Sequence, residues 1–261
     1  MSFLVDFYNI IFFKPLLNAL VFLTSVVPFH DLGVAVILLT LIVRTIIFPF
    51  THRSVQTQAK MRAIEPHLKK IRDEHKNNQA ELAKKTMELY KEHGVSPFSG
   101  CLLLLIQLPI LIAMYRLFIE DISGASAHLY SFVHFPEYIR YSFFGLVDMT
   151  KPNIVLAVIV GLSQYIQMKL VMPPKKAFDK NKKERPSFKE EFSQSMATQS
   201  VYIFPFLIFF ISIRFPSAVA LYWTTSNVFA TVHEGIVRKK AKKYERENER
   251  RDPGADKNID R

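Results

Sequence analysis

Apolar residues along this chain gather into long blocks instead of one-sided stripes. Stretches such as 32–43, 101–113 and 154–162 are apolar on every side of a helix. That pattern suits lipid as solvent; a soluble helix would confine its apolar residues to one face. Crossing a hydrocarbon layer of roughly 30 Å takes around 20 mainly apolar residues at the helical rise. Five stretches reach that length: 32–50, 101–119, 154–172, 196–213 and 216–237. Only Arg214 and Phe215 lie clear of the last two, which predicts a tight helical hairpin there.

The polar stretch between the first two blocks has a period of its own. Ile64, Leu68 and Ile71 recur at i, i+4 and i+7, and Leu82, Thr86, Leu89 and Tyr90 line a second face. The Lys76-Asn77-Asn78 run supplies a turn, and Pro66 bends or restarts the first helix. The spacing predicts an antiparallel helical hairpin with a thin apolar seam. The N-terminal stretch 3–27 is apolar enough to span, but Asp6, Lys14 and Pro15 interrupt it and leave only 16–27 unbroken. The reading favours an interfacial helix on the outer surface, with a sixth span as the alternative.

Charge sets the orientation. Net charge is +11, and the excess lies between the apolar blocks. Arg53, Lys60, Arg62, Lys69, Lys70, Arg72 and further lysines follow the first block, and Lys175 to Lys189 follow the third. The tail adds Arg238, Lys239, Lys240, Lys242 and Lys243. Alternate segments carry only Lys14, then Arg140 and Lys151, then Arg214. The basic segments belong in the cytoplasm, together with the C-terminus. The chain thus divides into an outer interfacial helix (1–31), a first transmembrane helix (32–51), a cytoplasmic helical hairpin (52–98) and a second transmembrane helix (99–119). An outer loop (120–152), a third transmembrane helix (153–172) and a basic cytoplasmic loop (173–195) follow. A transmembrane hairpin of the fourth and fifth helices (196–237) leads to a basic cytoplasmic tail (238–261). The expected fold class is all-α, a polytopic membrane protein.

Arg44 is the candidate that carries most chemistry. It lies inside the first block, nine residues before Arg53, so roughly 13 Å of helix separates the two. A guanidinium at that depth costs about 3 to 10 kcal/mol unless water or a counter-charge is at hand, and it stays protonated. The apolar blocks hold no acidic partner; Glu234 falls at the inner end of the last. Snorkelling to the headgroups is the plain alternative. Polar residues on other blocks favour a wet cavity: Thr40 and Thr51 at i−4 and i+7 from Arg44, Ser163, Gln164 and Gln167 on the third, and Thr224, Asn227 and Thr231 on the last. Gln107 alone on the second reads as interhelical glue. Tyr222 and Trp223 serve equally as interfacial anchors or as cavity lining. The candidate polar groove is lined by Arg44, Thr40, Gln107, Ser163, Gln164, Gln167, Trp223, Thr224 and Asn227. The eight histidines show no metal-ligand spacing and the lone Cys101 forms no intrachain disulfide, so neither metal nor cofactor is expected.

Several strings together resemble the YidC/Oxa family of membrane protein insertases. They are Leu41-Ile-Val-Arg44-Thr-Ile-Ile-Phe-Pro49, then Met87-Glu-Leu-Tyr-Lys-Glu-His-Gly94 leading to Gly100-Cys-Leu-Leu-Leu-Leu-Ile-Gln107-Leu-Pro109, then Phe215-Pro216 and Leu221-Tyr-Trp-Thr-Thr-Ser-Asn227. Ser96-Pro97 and Leu103 depart from the family's usual Asn-Pro and proline. The resemblance implies a short bacterial form without a large outer domain: five helices around a polar groove open to cytoplasm and lipid and sealed outside. It implies a monomeric or loosely associated, non-enzymatic insertase of the bacterial cytoplasmic membrane with a client-binding groove, whose arginine receives the hydrophilic, often acidic, end of a short client. The implied partners are newly made membrane proteins, anionic lipids, and ribosomes or targeting and translocation machinery. Two other classes compete: a transporter or channel for a small anion drawn to Arg44, and an intramembrane enzyme. The second lacks paired intramembrane aspartates, a zinc-binding helix or a serine–histidine pair.

Overall fold

Nearly every apolar block is helical, and Pro28, Pro49, Pro66 and Pro216 stand beside breaks between helices. The computed structural model describes residues 2–75, 78–96, 99–119, 128–171 and 201–251. The basic loop 173–195, the start of the fourth block and the last ten residues lie outside them. In chain order the elements are α1 (Ser2–Tyr8), a π-helical segment (Asn9–Phe13), α2 (Lys14–Val26), a 3-10 turn (Pro28–His30), α3 (Leu32–Ile46), α4 (Phe48–Ala63), α5 (Glu65–Glu74) and α6 (Gln79–Glu92). Then come α7 (Ser99–Ile119), β1 (Ser142–Phe143), β2 (Val147–Asp148) and α8 (Ile154–Val171). They are followed by α9 (Val201–Ser212) and α10 (Ser217–Arg251). The chain forms two compact units: Met1–Ile47 with Ile106–Thr231, and Phe48–Leu105 with Val232–Arg261.

The first unit opens with one unbroken helical run over residues 2–26, where interruptions at Lys14 and Pro15 are expected from sequence. A proline inside an α-helix loses an N–H and collides with the carbonyl four residues back. Here the turn before it is widened: Lys14 N–H bonds to the Asn9 carbonyl five residues back, which makes room for the ring. Residues Phe3–Val26 form a 24-residue helix of mean hydropathy 1.6, long and apolar enough to cross a membrane. Among the described residues no other helix reaches that length and hydropathy alone; α3 does so only jointly with Phe48–Met61 of α4, and α7, α8 and α9 carry shorter apolar runs.

Leu17, Leu20, Val36, Leu39, Met114, Leu117, Val160 and Val219 are buried together in this unit's core. Around them, large apolar side chains such as Phe3, Ile112, Val155, Leu162 and Phe206 point outward. In water that surface would drive aggregation; in lipid it meets a matching solvent. Loop 128–153 stitches one end of the unit together. Asp31 caps α3 through Val34 N–H at 3.1 Å and accepts Phe144 N–H at 2.7 Å. Asn18 donates to the His128 carbonyl and accepts Tyr130 N–H. The Lys151 carbonyl accepts both N–H and hydroxyl of Ser217 at the start of α10. The β1–β2 hairpin packs on α3 so closely that a Cβ at Gly33 would collide with the Phe143 ring.

In the second unit α5 and α6 form the expected hairpin. Ile64, Leu68, Leu89 and Val95 make its buried seam, with Met61, Ile71 and Tyr90 against it. Pro66 stands in the first turn of α5 and restarts the helix after Ile64, where its missing N–H costs nothing. Asn78 caps α6 by accepting Glu81 N–H at 3.2 Å.

Candidate functional site

Arg44 occupies the last turn of α3. The helix stops there because Pro49 has no N–H for the Thr45 carbonyl and its ring would strike that carbonyl. Ile47 closes the helix with its N–H on the Val43 carbonyl at 3.0 Å, and α4 starts at Phe48. The sequence reading, a continuous helix from Arg44 to Arg53, is corrected in this respect. The guanidinium belongs to a helix C-terminus, whose partial negative charge favours a cation by about 0.3–1 kcal/mol. That is small beside the several kcal/mol that removing the charge from water costs. Arg44 is half-buried and makes no hydrogen bond or ion pair among the described residues, although it lies within electrostatic reach of Tyr222. Glu234, the carboxylate that sequence offered, is 3% exposed and accepts Arg238 Nε at 3.0 Å.

The polar residues expected to line a groove are mostly bonded to one another. On α8, Gln164 Oε1 accepts both Trp223 Nε1 and Asn227 Nδ2 from α10, each at 3.1 Å. Asn227 Nδ2 also reaches Ser163 Oγ at 3.1 Å, and Ser163 donates to the Val160 carbonyl at 2.9 Å. Trp223 and Asn227 are one helical turn apart and Ser163 and Gln164 adjacent, so the four side chains tie α8 to α10. A second tie joins α7 to α10, where Gln107 Nε2 donates to Tyr222 Oη at 2.7 Å. Tyr222, only 2% exposed, is the partner that sequence left undecided.

Thr40 is fully buried and bonds the Val36 carbonyl of its own helix at 2.6 Å, the common fate of a helical threonine. It faces the core of the unit and not an open groove. Thr51, in the second unit, bonds the Phe48 carbonyl of α4. Gln167 is half-exposed on α8. The Thr224 hydroxyl oxygen is buried without a partner among the described residues. A cavity of about 570 Å³, lined by Phe22, His30, Phe132, His134, Glu137, Tyr138 and their neighbours, includes none of these residues. Among the described residues no three histidine, cysteine or carboxylate side chains gather as a metal site.

Comparison with known proteins adds three findings. The family model described as 60Kd inner membrane protein matches residues 22–245. The membrane protein insertase YidC of Francisella tularensis subsp. novicida (strain U112) is 31% identical over 205 residues, which are 78% of this chain and 32% of that protein. The same figures hold for the YidC of F. tularensis subsp. tularensis (strain SCHU S4 / Schu 4). A crystal structure of an active YidC insertase with its first transmembrane domain resolved superposes with a TM-score of 0.55 and 24% identity, covering 86% of this chain and 45% of that one. The chain spans about a third of the length of the curated relatives it matches.

Proposed function

Since the chain belongs to the 60Kd inner membrane protein family, the YidC/Oxa insertases, we propose that it is a non-enzymatic membrane protein insertase of the bacterial cytoplasmic membrane. Its clients are newly made membrane proteins. The observation that carries the mechanism is Arg44: a permanent cation on an apolar bundle that makes no hydrogen bond or ion pair among the described residues. Such a group is sustainable where water reaches it or where an acidic segment arrives from outside. The client's hydrophilic end, often acidic, takes that place transiently, and hydrophobic transfer of its apolar helix into lipid drives the step. The apolar exterior of the first unit supports release toward lipid, and the stitched loop 128–153 supports closure of the outer end.

In this reading the polar ties from α10 to α7 and α8 set the helix spacing around Arg44. The helix over Phe3–Val26 is an additional span, and the basic α5–α6 hairpin and tail lie in the cytoplasm, where they meet anionic lipid, ribosomes or targeting factors. The test is insertion of several clients, with acidic and with neutral tails, into proteoliposomes. Arg44→Ala lowers insertion of the acidic-tailed clients at least tenfold, about the worth of one charge-assisted contact, and Arg44→Lys lowers it less. Full activity of the alanine variant on every client refutes the role.

A further inference from the structure

Two histidines far apart in sequence meet in the second unit. His52, one turn into α4, and His233, on α10, stand with Nδ1 of the first 2.9 Å from Nε2 of the second. Their rings stack at 5.2 Å, and Phe48 lies against both, at 5.3 Å from His52 and 4.6 Å from His233. His233 is 7% exposed. Gln56 Nε2 approaches His52 Nε2 at 2.9 Å. An amide nitrogen only donates, so His52 Nε2 accepts, its proton sits on Nδ1, and Nδ1–H donates to His233 Nε2. A relay Gln56→His52→His233 results.

The geometry points to His52 and His233 as positioning residues, a proton-sharing latch that holds the first turns of α4 on α10 and lets go when both rings are charged. One added proton is accommodated: His233 becomes the donor, His52 Nδ1 the acceptor, and the Gln56 amide turns its oxygen to the new His52 Nε2–H. Two added protons leave donor facing donor at hydrogen-bond distance, with two positive charges against Phe48. Among the described charged neighbours Glu234, beside His233 on α10, attracts the charged rings, but its single charge is shared with Arg238. On α4 the next residue is Arg53, a further cation. This inference concerns contacts within one unit and does not depend on the insertase reading.

The test is hydrogen exchange of the full chain in lipid nanodiscs, followed in the 48–56 segment and corrected for intrinsic rates, with α5 as the internal reference. From about pH 7.5 to about pH 4.5 the wild type loses about tenfold protection in that segment relative to α5. His233→Gln, which keeps a donor and an acceptor but no titratable proton, holds its protection over the same range, as does His52→Gln. At neutral pH His52→Ala shows the loosened state. Equal acid loss in the wild type and both glutamine variants, no acid loss in the wild type, or full protection in His52→Ala at neutral pH would each overturn the latch.

Discussion

Removing Asn227 tests whether the polar side chains of α8 and α10 are bonded to each other or merely face the same water. Its Nδ2 makes two bonds, to Ser163 Oγ and Gln164 Oε1, both at 3.1 Å. Interhelical hydrogen bonds in membrane proteins average about 0.6 kcal/mol, with an upper end near 1.7. Asn227→Ala should therefore cost about 1.2 kcal/mol from the two bonds. The cost stays near that lower figure because no acceptor is orphaned: Ser163 keeps the Val160 carbonyl and Gln164 keeps Trp223 Nε1. Gln164→Ala and the double variant complete a cycle, in which the Asn227–Gln164 pair should couple by about 0.6 kcal/mol. Equilibrium unfolding in mixed micelles measures it. Trp223 is the sole tryptophan, so its emission reports the network directly: Gln164→Ala frees the indole N–H and shifts the spectrum. Coupling within about 0.3 kcal/mol of zero, with unchanged emission, would refute a bonded network and restore a solvated gap between the helices.

Gly33→Ala places a methyl inside the Phe143 ring contact and should destabilise the first unit by about 1–3 kcal/mol; thermal denaturation checks it, and Phe143→Ala in the same chain should recover part of the loss. The Asp148 carboxyl is held below the usual range, first by the Thr150 hydroxyl, then by the Thr150 backbone N–H and Lys151. A depressed folded pKa gives stability that is present above the unfolded value of about 3.9 and lost as pH falls through the folded one. Acid titration of stability should accordingly flatten below about pH 4 in Asp148→Asn.

Much of the fold is legible in the sequence, and the residues that mislead do so for identifiable reasons. The hairpin seam at Ile64, Leu68 and Leu89 follows from helical spacing, and Pro66 marks a true restart. Pro49 carries the same signal, but inside an apolar block it reads as tolerable, so the α3 terminus beside Arg44 goes unseen. Pro15 misleads in the opposite direction, because the π-helical turn that absorbs it leaves no compositional mark. The site shows the same division. Arg44 is conspicuous as a charge among apolar residues, and the serine, glutamine and asparagine positions are visible as polar. Whether such residues face water or one another depends on helix rotation, which packing decides. Thr40 is the case in point: it shares a helical face with Arg44, yet its hydroxyl is spent on its own backbone. The His52–His233 pair, 181 positions apart, has no local signature at all.

The claim beneath the proposed mechanism is that water reaches Arg44. Thiol labelling measures it directly, using Arg44→Cys in a chain whose Cys101 is replaced, reconstituted in lipid, with a charged membrane-impermeant reagent. Leu39→Cys, at a position 1% exposed in the core, is the buried reference. The cysteine at 44 is expected to react from the cytoplasmic side and the one at 39 to stay unlabelled. Equal protection of both positions would contradict that claim.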